Sequence, residues 1–273
     1  MHPMVNIALA AARKAGEIIA RAADRIDMIE VGRKSGNDFV TEIDRAAERE
    51  IIFQLRKAYP DHLILAEESG ASGDAARAGG YQWIIDPLDG TTNFTRGIPH
   101  FAVSIACVRD GRLEHAVVLD PVRREEFTAT RGQGAQRNGR RIRVSTRAGL
   151  KEAVLGTGIP FCEPSIRHLP AYLQTLEQFA SRTAGIRRAG AAALDLAYVA
   201  AGRLDGFWEI GLQPWDIAAG ALLVQEAGGL ISDFDGGNTW MESGRVVAAN
   251  PKCLKAMLQV IKPQLGTEAL HEA

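Results

Sequence analysis

The chain has 273 residues, of which 46% are hydrophobic and 24% charged, with a formal net charge of −1. That is enough apolar material for one large core or two small ones, and the near-neutral balance gives no global signal for a nucleic-acid binder. No stretch approaches the roughly 18 uninterrupted apolar residues of a membrane span, and the N-terminus "MHPMVNIALAAARKAGEII" meets Arg13 and Lys14 before a signal-peptide core can form, so the expected compartment is the cytoplasm.

Residues 4 to 25 place Ile7, Ala8, Ala11, Ala15, Ile18 and Ile19 on one face, the period of an amphipathic helix. A second helix is predicted to open at "TEID", with Thr41 as cap and Asp44 three positions on, and to run through Ile51, Ile52 and Leu55 to Pro60. "HLILAEES" and "YQWIIDPLDG" read as buried strands that end in acid, with "SGASGDAARAGG" (69 to 80) as a mobile loop between them. From Phe101 the pattern becomes an antiparallel meander, punctuated by Asp110-Gly111 and Asn138-Gly139. After about residue 150, strands ("AVLGTG", "GFWEI", "LISDF", "RVVAAN") alternate with helices near 165 to 180, at "AAALDLAYVAAG" and at "PWDIAAGALLVQEAGG". The polar tail after Pro263 reads as frayed, and Trp208 and Trp240 as core residues. Cys107, Cys162 and Cys253 lack disulfide or metal-site spacing and read as packing residues. The expected class is a layered α/β fold in one unit over 1–273, with helices and an antiparallel sheet in 1–150 and an α/β layer in 151–265.

Acids stand where these elements end: Asp44 in "TEID", Glu67 in "AEES", Asp86 and Asp89 in "DPLD", and Asp216 in "PWD". A lone acid at a turn is ordinarily a cap or a solvated residue. Asp86 follows Trp83-Ile84-Ile85 and Asp216 follows Pro214-Trp215, and carboxylates in such apolar settings call for a cation. Asp-Pro-x-Asp lets two carboxylates and the Leu88 carbonyl converge on a hard divalent ion such as Mg²⁺. A carboxylate shared by two ions is the arrangement of two-metal phosphoryl transfer. Gly90-Thr91-Thr92 then begins a helix whose free N–H groups suit an anion.

At these residues the sequence resembles the inositol monophosphatase family, the lithium-sensitive, Mg²⁺-dependent phosphatases. The resemblance rests on "DFVTEID" (38 to 44), "AEES" (66 to 69), "DPLDGTTNF" (86 to 94) and "WDIAAG" (215 to 220), and it covers residues 4 to about 262. Within the family the SuhB-type bacterial branch is the most similar, through "MHPMVNIA", "PHFAVSIA", "FTATRGQGAQ" and "ALDLAYVAAGRLDGFWEIGLQPWD". The resemblance implies an αβαβα sandwich and two to three Mg²⁺ ions. Glu67, Asp86 and the Leu88 carbonyl would hold the first ion, Asp86, Asp89 and Asp216 the second, and a third would lean on Glu67 and water. It implies that Asp44 and Thr91 orient the attacking water, and that the Gly90 and Thr91 amides take phosphate oxygens. Asp89, Ala192 and Glu209 would meet inositol hydroxyls, flanked by Leu88 and Gly190, with Asp216 beside the leaving oxygen.

The sequence departs from the pattern at Gly190-Ala191-Ala192, where many members carry Gly-Thr-Ala or Gly-Ser-Ala. The missing hydroxyl bears on substrate affinity rather than on the phosphatase chemistry. Lys34 falls in the loop whose lysine the family places near the metals. Gly90-Thr91-Thr92-Asn93 replaces the Gly-Thr-Lys-Glu of nucleotide 3′-phosphatases and favours inositol-type esters, although one fold serves sugar phosphates and histidinol phosphate as well. The SuhB-type branch further implies a homodimer and association with RNA polymerase and Nus-type antitermination factors in ribosomal RNA transcription. A factor whose phosphatase site is incidental is therefore the alternative reading. Arg187 and Arg188 are candidate partner-surface residues. The basic run 131–147, with Arg123 and Arg124 before it, reads first as a solvated hairpin face; it lacks aromatic interleaving, so direct nucleic-acid binding is not expected.

Overall fold

A computed structural model describes residues 1–24, 35–161 and 164–266, with the side chains of 35–41 left aside. Lys34 and Cys162 fall outside the described residues. The first layer is a helix pair, α1 (Pro3–Ala23) and α2 (Ser35–Ala58). Helix α1 buries Val5, Ala8, Ala11, Ala12, Ala15 and Ile19, while Ile7 and Ile18 flank the stripe half-buried. The small alanine side chains let α1 lie close against α2 and the sheet beneath, where the two helices cover Trp83, Ile85, Val103, Ile105 and Val117. Helix α2 begins at Ser35, so Thr41 and Asp44 sit within it and the predicted cap at Thr41 is corrected. The Asp44 carboxyl projects instead from the middle of the helix, where it is 6% exposed.

The eight-stranded sheet runs β2-β1-β3-β4-β5-β6-β7-β8: β1 (Leu63–Ala66), β2 (Gly70–Ser72), β3 (Tyr81–Asp89), β4 (Ala102–Arg109), β5 (Arg112–Asp120), β6 (Glu125–Thr130), β7 (Gly134–Arg137) and β8 (Arg140–Arg141). Only β1 and β3 are parallel; the rest is a meander. Asp110 and Asn138 hold φ of 49° and 48°, each followed by a glycine at positive φ, the two-residue hairpin geometry that Asp-Gly and Asn-Gly favour. The segment 69–80 does not remain a loop throughout, because Gly70–Ser72 folds back on β1 as the edge strand β2.

The five-stranded sheet runs β10-β9-β11-β13-β12: β9 (Val154–Thr157), β10 (Gly185–Arg187), β11 (Gly206–Ile210), β12 (Leu230–Ser232) and β13 (Arg245–Ala249). Between the sheets lie α5 (Ala192–Ala200) and α6 (Pro214–Glu226), apolar on nearly every side and buried on nearly every side. They cross closely, since a Cβ on Gly220 would come within 2.5 Å of Leu196 Cβ. The far face of the second sheet is covered by α4 (Leu169–Ala180) and α8 (Pro251–Leu265), which enclose Trp208, Phe179, Met257 and Ile261. The layers are thus αβαβα, the expected class. Helix α8 continues two residues past Pro263 and buries Leu265, so ordered helix extends beyond the point where fraying was expected. Short α3 (Thr91–Thr95) and α7 (Trp240–Ser243) complete the chain. Trp208 is fully buried and Trp240 half-buried, and Cys107 and Cys253 are buried packing residues.

Candidate metal centre and active site

Parallel pairing of β1 with β3 sets Ala66 opposite Ile85, so Glu67 and Asp86 leave adjacent strands at the same carboxyl edge. Pleating would send Asp86 and Asp89 to opposite faces, being three positions apart. The register against β4 corrects this: Asp86 faces Ser104 and Asp89 faces Ala102, three steps against two. That extra residue is a bulge around Pro87, which has no N–H to give to the ladder, and it turns both aspartates the same way. Asp216 arrives from α6, where it closes a capping box with Gln213. One carboxylate oxygen from each of Asp86, Asp89 and Asp216 lies within 4.8 Å of the others.

Each carboxylate is fixed by one backbone donor. The Leu88 N–H donates to Asp86 Oδ1 at 2.9 Å, the Ala193 N–H to Asp89 Oδ2 at 2.7 Å, and the Gln213 N–H to Asp216 Oδ2 at 2.7 Å. Such a bond locks the side chain while leaving oxygen lone pairs for another partner. Thr91 Oγ1 donates to the Leu88 carbonyl at 3.0 Å, which leaves the hydroxyl oxygen free to accept and the carbonyl with a second lone pair.

The electrostatics are those of acids crowded together. Burial drives the Asp86 carboxyl well above the usual range, with Glu67, Asp89 and Asp216 adding repulsion. Asp89 is raised likewise by burial and then by Asp216, against the stabilising Ala193 N–H. Asp216 is pushed up to about 6, mainly by burial, with the Gln213 N–H opposing. Glu67 is an exposed residue whose carboxyl is nonetheless raised by burial, while a hydrogen bond with Asp86 lowers it. Asp44 is pushed up to about 8 by burial and by Glu68, Glu67 and Glu48. Its Oδ1 is buried with no hydrogen-bond partner among the described residues. An all-oxygen donor set, mutual repulsion and an orphaned carboxylate oxygen suit a hard divalent cation, which would remove the repulsion and order water beside Asp44.

Glu209, at the end of β11, is pushed up to about 8 by burial and then by Asp195 and Asp216, with Arg188 opposing. Ala192 opens α5 beside Asp89, and Gly190 precedes it at φ +88°. Gly90 caps α3 at φ +95°, and a Cβ there would press on the His100 carbonyl at 3.0 Å and Phe101 Cα at 3.2 Å. The structure thus gathers Glu67, Asp86, Leu88, Asp89, Thr91 and Asp216 around one edge, with Asp44, Ala192 and Glu209 beside it. Arg187 is exposed, while Arg188 lies over Phe161 with its guanidinium carbon 4.9 Å from the ring centroid, at the rim near Glu209.

Several contributing residues were not singled out by the sequence. Asn93 Nδ2 donates to the carbonyls of His100 at 2.7 Å and Ala189 at 2.9 Å, tying α3 to the segment before α5. Its place inside "DPLDGTTNF" was the available signal. Asp195, one turn into α5, is 2% exposed, and burial with repulsion from Asp89 raises its carboxyl. Buried Glu48 accepts the Glu68 N–H at 2.9 Å and so holds the "AEES" corner. Neither acid belongs to a recognisable motif. Part of the basic run is structural: Arg131 pairs with Glu114 at 3.3 Å and Arg137 with Glu125 at 3.4 Å.

The sequence pattern of the inositol monophosphatase family matches residues 1–264. The chain belongs to the inositol monophosphatase family. It is 62% identical to the Nus factor SuhB of Pseudomonas aeruginosa, over 97% of this chain and 98% of that one. Among solved structures, the extragenic suppressor protein suhB of Bartonella henselae superposes with a TM-score of 0.83 at 43% identity, covering 94% of this chain and 98% of that one. The inositol monophosphatase of Anabaena superposes with a TM-score of 0.83 at 36% identity, covering 97% of each chain. Family membership therefore holds over residues 1–264, and the fold is shared with these solved structures. Among the described residues no helix is long and apolar enough to cross a membrane.

Proposed function

We propose that this member of the inositol monophosphatase family is a Mg²⁺-dependent phosphomonoester hydrolase acting on inositol 1-phosphate or a similar small ester in the cytoplasm. The observation that carries the reading is the triad Asp86, Asp89 and Asp216, each locked by one backbone N–H and each offering an oxygen to a common point. Glu67, Asp86 and the Leu88 carbonyl would hold one ion, Asp86, Asp89 and Asp216 a second, and Glu67 a third, more weakly. When bound, such ions supply Lewis-acid activation of water and charge neutralisation at phosphate. Thr91, with its proton committed to the Leu88 carbonyl, would accept a hydrogen bond from one O–H of the attacking water and so orient it, and Asp44 as carboxylate would take the proton of that water's other O–H. The Gly90 and Thr91 amides, Gly190 and Ala192 position phosphate and sugar; Glu209 accepts a sugar hydroxyl, and Asp216 stands beside the leaving oxygen. Phosphate release from inositol 1-phosphate, measured as Mg²⁺ is titrated from zero and lithium is then added, tests the reading. Mg²⁺-dependent turnover that Asp86→Asn abolishes supports it, and turnover in that variant equal to the wild type overturns it.

A second role is favoured by the 62% identity to a Nus factor over nearly the whole of both chains. In this reading the protein, as a homodimer, joins RNA polymerase and Nus-type antitermination factors, with Arg187 and the Arg188–Phe161 stack on the contacting surface. Pull-down of polymerase and Nus factors should survive Asp86→Asn and weaken with Arg187→Glu and Arg188→Glu. Retention by both charge-reversal variants excludes that surface.

A further inference from the structure

A cavity of 360 Å³ opens around the end of β11 and the start of β13. Its walls include the 3₁₀ turn Ser165–His168, the 210–214 segment leading into α6, and α7 with Arg245. Arg167, His168 and Arg245 are among the residues that line it. Arg167 Nε donates to His168 Nε2 at 3.2 Å, and burial, then the charges of Arg167 and Arg245, oppose protonation of His168. No ion pair is seen for Arg167 or Arg245 among the described residues, and Glu242 is the single acid in the lining. Two arginines against one acid in the lining leave a net positive pocket, and planar guanidinium donors match phosphate oxygens two at a time. The position is equally informative. Gln213 lines this cavity and also donates its backbone N–H to Asp216 at 2.7 Å, while Ile210 in the same wall follows Glu209 directly. A cationic pocket therefore shares one wall with the acidic centre.

We propose that this pocket binds a phosphate group other than the one hydrolysed, held by Arg167 and Arg245. The proposal rests on the phosphatase reading for its place beside the reaction, but the binding itself does not depend on turnover. The phosphate comes either from a bisphosphorylated substrate that spans both sites or from free phosphate acting on the neighbouring centre. Three measurements on the wild type and the Arg167→Gln/Arg245→Gln double variant separate these sources. The first is inorganic phosphate binding by calorimetry without Mg²⁺, where the acidic centre repels anions. The others are kcat/KM for inositol 1-phosphate and for inositol 1,4-bisphosphate. The expected result is phosphate binding in the wild type that the variant weakens at least about tenfold, the scale of one lost charge-assisted contact. If the variant also lowers kcat/KM for the bisphosphate about tenfold while sparing the monophosphate, the second substrate phosphate is the natural occupant. If both substrates are handled as before, the occupant is free phosphate. Unaltered phosphate binding in the variant, or none in the wild type, overturns the proposal. Absence of turnover with both esters would instead count against the phosphatase reading and leave the calorimetric result to stand by itself.

Discussion

Asp89 and Ala193 are 104 positions apart, yet the Ala193 N–H donates to Asp89 Oδ2 at 2.7 Å, so a strand end of the first sheet caps a helix packed under the second. The N-cap residue of α5, Ala191, makes no side-chain cap bond, and the remote aspartate takes over that duty. Asp89 therefore has two separable roles, as acceptor and as charge. Asp89→Asn keeps an acceptor oxygen and loses the charge, whereas Asp89→Ala leaves a buried N–H without a partner, costing about 1–3 kcal/mol. Urea unfolding in EDTA should place Asp89→Ala below Asp89→Asn by that margin, while both lose Mg²⁺-dependent activity. Equal stability of the two variants would remove the structural role.

The acids at the centre repel one another when no cation separates them. Asp86, 1% exposed, has its carboxyl raised by burial and then by Glu67, Asp89 and Asp216. Asp86→Asn should therefore leave the metal-free protein as stable as the wild type or more so, by about 1 kcal/mol, because a buried like-charge contact is relieved. The wild type should gain about 2.7 kcal/mol in Mg²⁺ at a hundred times the dissociation constant, and the variant should gain almost nothing. Thermal unfolding with and without Mg²⁺ reads both effects. A variant that is still stabilised by Mg²⁺ like the wild type would place the ion elsewhere.

Thr91 Oγ1 gives its proton to the Leu88 carbonyl at 3.0 Å, which makes the hydroxyl rather than the methyl the working part. Thr91→Ala should lower kcat by about 10²–10⁴, the usual contribution of a group in proton transfer, and Thr91→Ser should retain most of it. Thr91→Val, which keeps the shape, should behave like Thr91→Ala. Initial rates at saturating Mg²⁺ distinguish the cases, and a Thr91→Val enzyme with near-normal kcat would discard the role.

What was readable in advance follows from which interactions are local. The hairpins at Asp110-Gly111 and Asn138-Gly139, the buried strand leading to Asp86 and the fully apolar α6 all declare themselves within a short window, because backbone preference and burial act there together. The capping box predicted at Thr41 looked equally local, but α2 starts at Ser35 and continues through it. A cap signal inside a longer amphipathic run loses to the tertiary packing of that run. Strands β2 and β10, each of three residues, owe their existence to pairing with β1 and β9 and have no pattern of their own. At the centre, the acids of "DPLDG" and "PWD" were visible as residue types, whereas the bulge that turns Asp86 and Asp89 to one side is a matter of register with β4. Asp195 and Glu48 were invisible for the same reason, since only the folded neighbours make an ordinary helix acid unusual.

Gly220, in the "WDIAAG" motif, serves packing rather than chemistry. A Cβ there would meet Leu196 Cβ at 2.5 Å and Cδ1 at 2.6 Å, where α5 and α6 cross in the middle layer. Overpacking of this kind costs about 1–3 kcal/mol, so Gly220→Ala should lower the urea midpoint accordingly despite alanine's better helix propensity. A paired Leu196→Ala change opens the space and should bring back part of the loss caused by Gly220→Ala. Additive losses in the double variant would show that the two side chains do not compete for one volume.

The last prediction concerns pH and lies away from the metal centre. His115, in β5, is 6% exposed, stacks on His2 with ring centroids 4.2 Å apart, and places Nδ1 3.3 Å from Thr130 Oγ1. Burial, with some repulsion from His2, pushes its pKa down from 6.5 to about 4. In the unfolded chain the imidazole regains its ordinary affinity, so between those values the unfolded state binds more protons than the folded one. Stability then rises with pH across the window, is complete above about 6.5 and is lost progressively as pH falls toward about 4. At pH 5 the loss from this group amounts to roughly 1–2 kcal/mol. His115→Asn has no such proton to take up, so the drop in unfolding free energy between pH 7.5 and 5 should be smaller in the variant by about that amount. The comparison cancels the carboxylates, which are common to both proteins. Identical pH dependence in wild type and variant would mean that His115 titrates alike in the folded and unfolded chains.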